Sequence, residues 1–144
     1  LDMNCDGAYD VEILSAGGAH NCAIDTSGSV QCWGYDHYGQ VSDAPSGQFV
    51  QISVGDYHSC GIDIDGGLHC WGGQVSDAPS GSFVQVSAGE YHSCAIDIDG
   101  IVQCWGRDNY GQSSPPSLTY ESVVAHARAP GRNRADARVG FGQY

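Results

Sequence analysis

The feature that most constrains the fold of this chain is an internal repeat. Residues 14–34, 52–72 and 86–106 share one pattern, which begins with an aliphatic residue and Ser-Ala-Gly or Ser-Val-Gly and ends with Cys-Trp-Gly. His20, His58 and His92 occupy the same position in the three copies, at spacings of 38 and 34 residues. Self-similarity at this period indicates a repeat protein in which each copy is one supersecondary unit.

The linkers between the copies set the predicted boundaries. Each linker reads Ser-Asp-Ala-Pro-Ser-Gly, which is typical of a loop. We therefore expect an N-terminal segment over 1–9 and repeats over about 10–47, 48–81 and 82–120. Residues 121–144 lack Cys and Trp but contain Phe141-Gly142-Gln143, similar to Tyr38-Gly39-Gln40, and Val123-Val124-Ala125 as a candidate strand. We interpret them as a degenerate fourth repeat or a basic tail, since they hold four of the five arginines.

Each repeat is predicted to contain a β-hairpin with a defined register. A hairpin that places the two cysteines of a repeat opposite each other leaves a three-residue loop with Gly at its third position, where a type I turn with a G1 bulge needs a left-handed residue. The cysteine spacing and the turn chemistry therefore agree on one register. It places Ile24 opposite Val30, Ile62 opposite Leu68 and Ile96 opposite Val102, on the same face as the cysteines, and the loop glycines are Gly28, Gly66 and Gly100.

The cysteine pairs are predicted to be disulfides. Opposite residues of a non-hydrogen-bonded pair have Cα atoms about 4.5 Å apart, within reach of a disulfide. The competing interpretation is zinc, but His20, Cys22 and Cys32 supply only three ligands per repeat. Disulfides indicate an oxidising compartment, and thus an extracellular or periplasmic location. The expected bridges are Cys22–Cys32, Cys60–Cys70 and Cys94–Cys104, and Cys5 is left free, paired between chains, or bridged to a partner outside this sequence.

The charge balance argues against some partners. The chain has 17 acidic residues, five arginines and no lysine, for a net charge of −12. Such a surface repels the phosphates of nucleic acids, so we expect no nucleic-acid partner. There is no apolar run of about 18 residues, so no membrane span is expected. The acidic surface either serves solubility or attracts a basic partner or cations. Because the numbering starts at Leu1, we expect a processed product or a fragment.

The sequence gives little indication of a catalytic or metal-binding site. The three histidines recur in every repeat, which is typical of a structural residue that hydrogen-bonds the backbone, and no lone nucleophile is evident. We therefore predict a protein that is not an enzyme and has no cofactor or metal site. Asp63-Ile-Asp65-Gly66 and Asp97-Ile-Asp99-Gly100 resemble calcium loops but lack the EF-hand ligand set; turn formation explains them, and weak Ca²⁺ binding stays open.

Aromatic residues beside acidic ones in the loops suit a protein interface. The tryptophans after the second cysteine have an alternative role, packing between neighbouring repeats. The candidate interface residues are Trp33, Tyr35, His37, Tyr38, Trp71, Trp105, Arg107 and Tyr110.

The repeated pattern Ser-Ala-Gly-x-x-His-Ser-Cys-Ala-Ile-Asp-x-x-Gly-x-Val-x-Cys-Trp-Gly-x-x-x-x-Gly-Gln resembles the repeat of the regulator-of-chromosome-condensation family over roughly residues 10–118. The cysteine-bearing version is similar to a secreted bacterial branch, and its unit length to the propeller-type inhibitors of β-lactamase. The resemblance implies an all-β fold of β-propeller repeats, with three clear blades and, if residues 121–144 are a degenerate repeat, a fourth. Since family propellers usually have seven blades, we expect an incomplete, open array of disulfide-stapled hairpins.

The resemblance also implies a function through surfaces. We predict an extracellular, non-enzymatic repeat protein that makes protein–protein contacts, as a binding module or as a self-assembling subunit. Its partners would be other proteins: further copies in a homo-oligomer, ring or filament, or the remainder of a longer propeller. The alternatives are an inhibitor of a secreted enzyme such as a β-lactamase, or a propeller enzyme such as a lyase or hydrolase.

Overall fold

A computed structural model of the chain describes residues 13–73, 78–117 and Thr119. These residues form three antiparallel sheets of three strands, each a simple meander. The predicted all-β fold of three open, propeller-type blades is confirmed, while residues 1–9, Cys5 and the predicted fourth repeat over 121–144 lie outside the described residues. The strands are β1 Leu14–Ala16, β2 His20–Ile24, β3 Val30–Gly34, β4 Phe49–Val54, β5 His58–Asp63, β6 Leu68–Gly72, β7 Phe83–Ala88, β8 His92–Asp97 and β9 Val102–Gly106.

The second and third strands of each blade pair in the predicted register. In blade 1, Cys22 lies opposite Cys32 with a Cα–Cα distance of 4.1 Å, as expected for a non-hydrogen-bonded pair. The turn is closed by a hydrogen bond of 2.9 Å from Gly28 N to Asp25 O, and Gly28 has a φ of +90°. The corresponding glycines of blades 2 and 3 have φ of +91° and +83°. The three disulfides are Cys22–Cys32, Cys60–Cys70 and Cys94–Cys104.

The hydrophobic core lies between the blades rather than within them. One cluster joins apolar residues of blade 1 to the facing side of blade 2, and a second joins blade 2 to blade 3 in the same way. A single blade cannot bury its apolar face, so stacking neighbours supply the core. The buried residues are Cys22, Ile24, Val30, Phe49, Ile52, Val54 and Trp71 in the first cluster and Cys60, Ile62, Phe83, Val86, Ala95 and Trp105 in the second.

Polar contacts between blades repeat with the core. The Ser15 hydroxyl accepts a hydrogen bond of 3.0 Å from Val54 N, and the Ser53 hydroxyl accepts one of 2.9 Å from Ala88 N. These bonds recur one repeat apart because each blade meets the next through the same surface. The blades are therefore related by a nearly constant step.

The turns between the first and second strands of neighbouring blades pack against each other closely. A Cβ atom on Gly17 would overlap Gly55 O, and a Cβ on Gly55 would overlap Gly89 O. Only glycine permits this approach of backbone to backbone. The glycine at this point of the repeat therefore brings the three turns together at one end of the array, which we call the aromatic end. The opposite end, which carries the β2–β3, β5–β6 and β8–β9 turns, is called the hairpin end.

Within the described residues, no helix is long and apolar enough to cross a membrane.

Candidate functional site: the aromatic end

Two kinds of chain segment meet at the aromatic end. The turn before the second strand supplies Tyr57 in blade 2 and Tyr91 in blade 3, while the segment after the third strand supplies Tyr35 in blade 1 and Arg107 in blade 3. Backbone hydrogen bonds hold the two segments side by side: Tyr35 N donates to Ala19 O and Arg107 N donates to Tyr91 O, both at 3.0 Å. The sheet ends therefore place side chains from distant parts of the sequence on one surface.

These side chains form a continuous row of rings, which we call the aromatic ladder. Its members are Tyr35, His37, Tyr38, Tyr57 and Tyr91. Three rings come from blade 1, and Tyr38 meets Tyr57 edge-on at 5.9 Å between ring centroids. Tyr57 then stacks on Tyr91 at 5.1 Å with an interplanar angle of 21°. The ladder thus spans all three blades, and such pairs add to the energy of their burial.

One cation already sits on the ladder. The guanidinium carbon of Arg107 lies 3.9 Å from the centroid of the Tyr91 ring, a cation–π contact. Arg107 is the only lysine or arginine between residues 13 and 117. The ladder therefore places a ring face against the one strong base in this part of the sequence.

The surroundings of the ladder are otherwise negative. Asp56 and Glu90 directly precede Tyr57 and Tyr91. The pKa of Tyr57 is raised, first by the hydrogen bond and charge of Tyr91, then by burial, and further by the carboxylates of Glu90 and Asp56. The two carboxylates contribute less to this shift than Tyr91 does, but their contribution places Asp56 and Glu90 close enough to the ladder to favour a cation there.

The loops that carry the ladder are held by their own carboxylates and amides. In blade 1, Asp36 Oδ1 accepts hydrogen bonds from Val41 N and Ser42 N at 2.8 and 2.9 Å, and these bonds lower the pKa of Asp36. The buried Gln40 accepts from Tyr38 N through Oε1 at 2.8 Å, and its backbone oxygen accepts from the Trp71 indole at 2.9 Å. The ladder therefore rests on an ordered loop tied to the next blade.

The structure divides the predicted interface residues into three groups. The ladder brings together Tyr35, His37, Tyr38 and Arg107. A second group makes no ring contact with the ladder and is exposed to solvent: Trp33 by 49% and Tyr110 by 88%. The interface interpretation of Trp71 and Trp105 needs correction, because both are buried between blades, where their indoles pack on the preceding blade.

Sequence reasoning missed Tyr57 and Tyr91. Both precede the repeated histidine, where the first repeat has Ala19. The available signal in the sequence was a tyrosine before the histidine in two of the three repeats. The stacking of Tyr57 on Tyr91 could not be predicted, because it depends on how the blades meet.

Two of the three repeated histidines bridge blades. His20 Nε2 lies 2.8 Å from the Ser59 hydroxyl, and His58 Nε2 lies 2.6 Å from the Ser93 hydroxyl. For His20 and His58 the structural role is as predicted, but the predicted backbone partner was wrong: the partner is a serine side chain of the next blade. Burial lowers the pKa of both histidines, which favours the neutral ring.

The protonation of the bridge follows from the remaining ring nitrogen. Nδ1 of His20 and of His58 is buried and has no hydrogen-bonding partner in the described part of the chain. A buried N–H without an acceptor costs more than a bare acceptor, so the proton is assigned to Nε2, which donates to the serine oxygen. The histidines are thus used by the fold.

The aspartates of the calcium-like loops also serve the fold. Asp63 Oδ1 accepts from Asp65 N and Gly67 N at 2.9 and 2.8 Å, and Asp97 Oδ1 accepts from Asp99 N and Ile101 N at 2.9 and 3.0 Å. These are Asx turns, as the turn interpretation predicts. Across residues 13–73 and 78–117, no group of three or more His, Cys, Asp or Glu could hold a metal ion. The zinc alternative was wrong, because its cysteines form disulfides.

Fold and surface define an all-β, propeller-type repeat protein that carries a row of aromatic rings at one end of its blades. The model of the regulator of chromosome condensation (RCC1) repeat matches residues 11–40, 49–76 and 83–112, one match per blade. The chain belongs to the RCC1 repeat family. No functionally curated protein sequence matches the chain.

Several solved structures are similar to the chain. The CRINKLY WD40 ectodomain of the Arabidopsis thaliana receptor kinase ACR4 is 31% identical, with a TM-score of 0.63 over 76% of this chain and 41% of that one. The ectodomain of the Physcomitrella patens receptor kinase CR4 is 32% identical, with a TM-score of 0.63 over 76% of this chain and 34% of that one. Prp20p from Saccharomyces cerevisiae is 19% identical, with a TM-score of 0.56 over 78% and 37%, and shows the fold alone. The chain spans less than half the length of each.

Proposed function

We propose that this chain is an extracellular protein-binding module that acts through the aromatic ladder and not by catalysis. The observation that carries the proposal is the ladder itself: an ordered row of rings, exposed by 45% at Tyr35 and 50% at Tyr38, on a rigid repeat scaffold. Large, rigid aromatic side chains give contact area at low entropic cost and are enriched at protein interfaces.

Two further observations support parts of the proposal. The three disulfides and the likeness to receptor-kinase ectodomains support an extracellular location. The use of the buried histidines and turn aspartates by the fold supports a non-enzymatic role, since the groups that most resemble catalytic residues are committed to structural hydrogen bonds. Inhibition of a secreted enzyme, such as a β-lactamase, would be one form of this binding function.

The experiment compares partner capture by three forms of the full chain. The wild type, a ladder variant (Tyr57→Ala with Tyr91→Ala) and a control variant (Ile64→Ala with Ile98→Ala) are immobilised and exposed to the extracellular proteins of the source organism. The control residues are each 57% exposed, at the hairpin end. We expect at least one protein that the wild type and the control retain and the ladder variant retains about tenfold less.

The binding proposal fails if no protein shows this pattern, or if all three forms retain the same proteins equally. Purified partners are then measured individually, and secreted hydrolases, including β-lactamases, are assayed for lost activity on addition of the chain. Mass spectrometry of the natively purified, unreduced chain tests the compartment. Free thiols at the six paired cysteines would count against an extracellular location.

Self-assembly is a second candidate, favoured by the outer edge of blade 3. Ser53 accepts a hydrogen bond from Ala88 N of the next blade, whereas the corresponding Ser87 is exposed. Blade 3 therefore repeats a surface that blades 1 and 2 use to hold a neighbour. Light scattering of the purified chain across a concentration series tests this: a constant monomer mass would rule out assembly, and a mass that rises with concentration would support it.

A further inference from the structure

Resting on the proposed binding function, we propose that the aromatic ladder recognises an arginine-bearing segment of its partner protein. A partner guanidinium would take the place of Arg107 on the face of Tyr91 that points away from Tyr57, while Asp56 and Glu90 would supply the opposite charge. This inference goes beyond binding as such, because it states the chemistry of the partner.

The Arg107–Tyr91 contact is the first argument. A guanidinium 3.9 Å from a ring centroid shows that this surface accommodates a planar cation over a tyrosine face. Arginine stacks on aromatic rings through its planar, weakly hydrated head group, whereas lysine presents a compact, strongly hydrated charge. Each exposed contact of this kind changes affinity by about two- to fivefold.

Charge complementarity is the second argument. Asp36 and Asp108 hold their own loops through hydrogen bonds. Asp56 and Glu90 have no such role among the contacts of the described residues, and they adjoin the two stacked tyrosines. Since Arg107 is the only strong base between residues 13 and 117, a partner cation that displaces it from the Tyr91 ring meets no other lysine or arginine of this part of the sequence.

The first arm of the test measures affinity for defined peptides at physiological ionic strength. The probes are a short alternating glycine–arginine peptide and matched peptides with lysine or with citrulline, which keeps the planar head group without the charge. We expect the arginine peptide to bind most tightly, lysine a fewfold more weakly and citrulline at least about tenfold more weakly. Equal binding of arginine and citrulline peptides would overturn the inference.

The second arm separates a defined site from general attraction to an acidic protein. The site variant is Asp56→Asn with Glu90→Gln, and the control is Asp65→Asn with Asp99→Asn at the hairpin end, which changes the net charge equally. We expect about a tenfold loss for the site variant and less than a twofold loss for the control. Equal losses would show non-specific electrostatics and overturn the proposal.

A third comparison tests the rings. Tyr57→Phe with Tyr91→Phe keeps both ring faces and should retain binding, whereas the alanine pair should lose about tenfold at unchanged net charge. If the phenylalanine pair loses as much as the alanine pair, stacking is not the basis of recognition. Circular dichroism and melting temperature of each variant establish that it is folded.

The two proposals fail in distinguishable ways. A captured partner that depends on the ladder but is not displaced by the arginine peptide would overturn the arginine inference and leave protein binding standing. Peptide binding without any ladder-dependent partner would instead count against the proposed function.

Discussion

The substitution Ser93→Ala tests how the blades are joined. It removes the hydroxyl that lies 2.6 Å from His58 Nε2, at a site where both side chains are 2% exposed. Because Nδ1 of His58 already has no partner in the described part of the chain, the variant ring would be buried with neither nitrogen hydrogen-bonded. A lost buried hydrogen bond and the desolvation of its orphaned partner together cost about 2–3 kcal/mol.

The assay is urea unfolding followed by tryptophan fluorescence, since Trp71 and Trp105 are buried between blades. The matched control is Ser87→Ala, the same chemical change at an exposed position, where we expect a change within about 0.5 kcal/mol. The bond joins blades 2 and 3, so its loss should also weaken coupling between repeats and broaden the transition. If Ser93→Ala costs no more than Ser87→Ala, the interblade bond does not contribute to stability and the reasoning is refuted.

Three other predictions concern the blades themselves. Replacing Cys60 and Cys70 together by alanine should lower the free energy of unfolding by about 2–3 kcal/mol; a midpoint in urea equal to the wild type's would contradict this. Gly66→Ala should cost about 1–2 kcal/mol, because φ is +91° there; calorimetry showing an unchanged Tm would contradict it. Burial lowers the pKa of His20 and His58 from 6.5, so the unfolded chain gains protons first. The free energy of unfolding is therefore highest, as far as these histidines affect it, above pH 6.5. It decreases as the pH falls towards the lowered pKa, by at most about 1.4 kcal/mol per pH unit for each histidine. Unfolding free energies that do not fall between pH 7 and pH 5 would refute it.

Hairpin geometry could be predicted from sequence because it is local. Ten residues separate Cys22 from Cys32, and a glycine at the third loop position admits one turn type and one register. The disulfides and the facing apolar pairs follow from that register without knowledge of the rest of the chain.

The relations between blades could not be predicted in the same way. The partner of His58 lies 35 residues away in the chain, and the Tyr57–Tyr91 stack joins two turns of different repeats. Side chains at such distances meet only when the angle and spacing of the blades are known. The sequence pattern therefore identified the histidine as structural but named the wrong partner, and it missed both tyrosines.

By itself the sequence determined the repeat, the hairpin register, the loop glycines and the three disulfides, since each is set by contacts within about ten residues. The tertiary structure decided which residues face a neighbouring blade and which face solvent. The packing of the blades buries Trp71 and Trp105 and brings Tyr38 against Tyr57, whereas Trp33, at the same position of blade 1, is exposed. The physical reason is that a blade buries its apolar face only against the next one, so identical residues differ in role according to whether a neighbour packs on them.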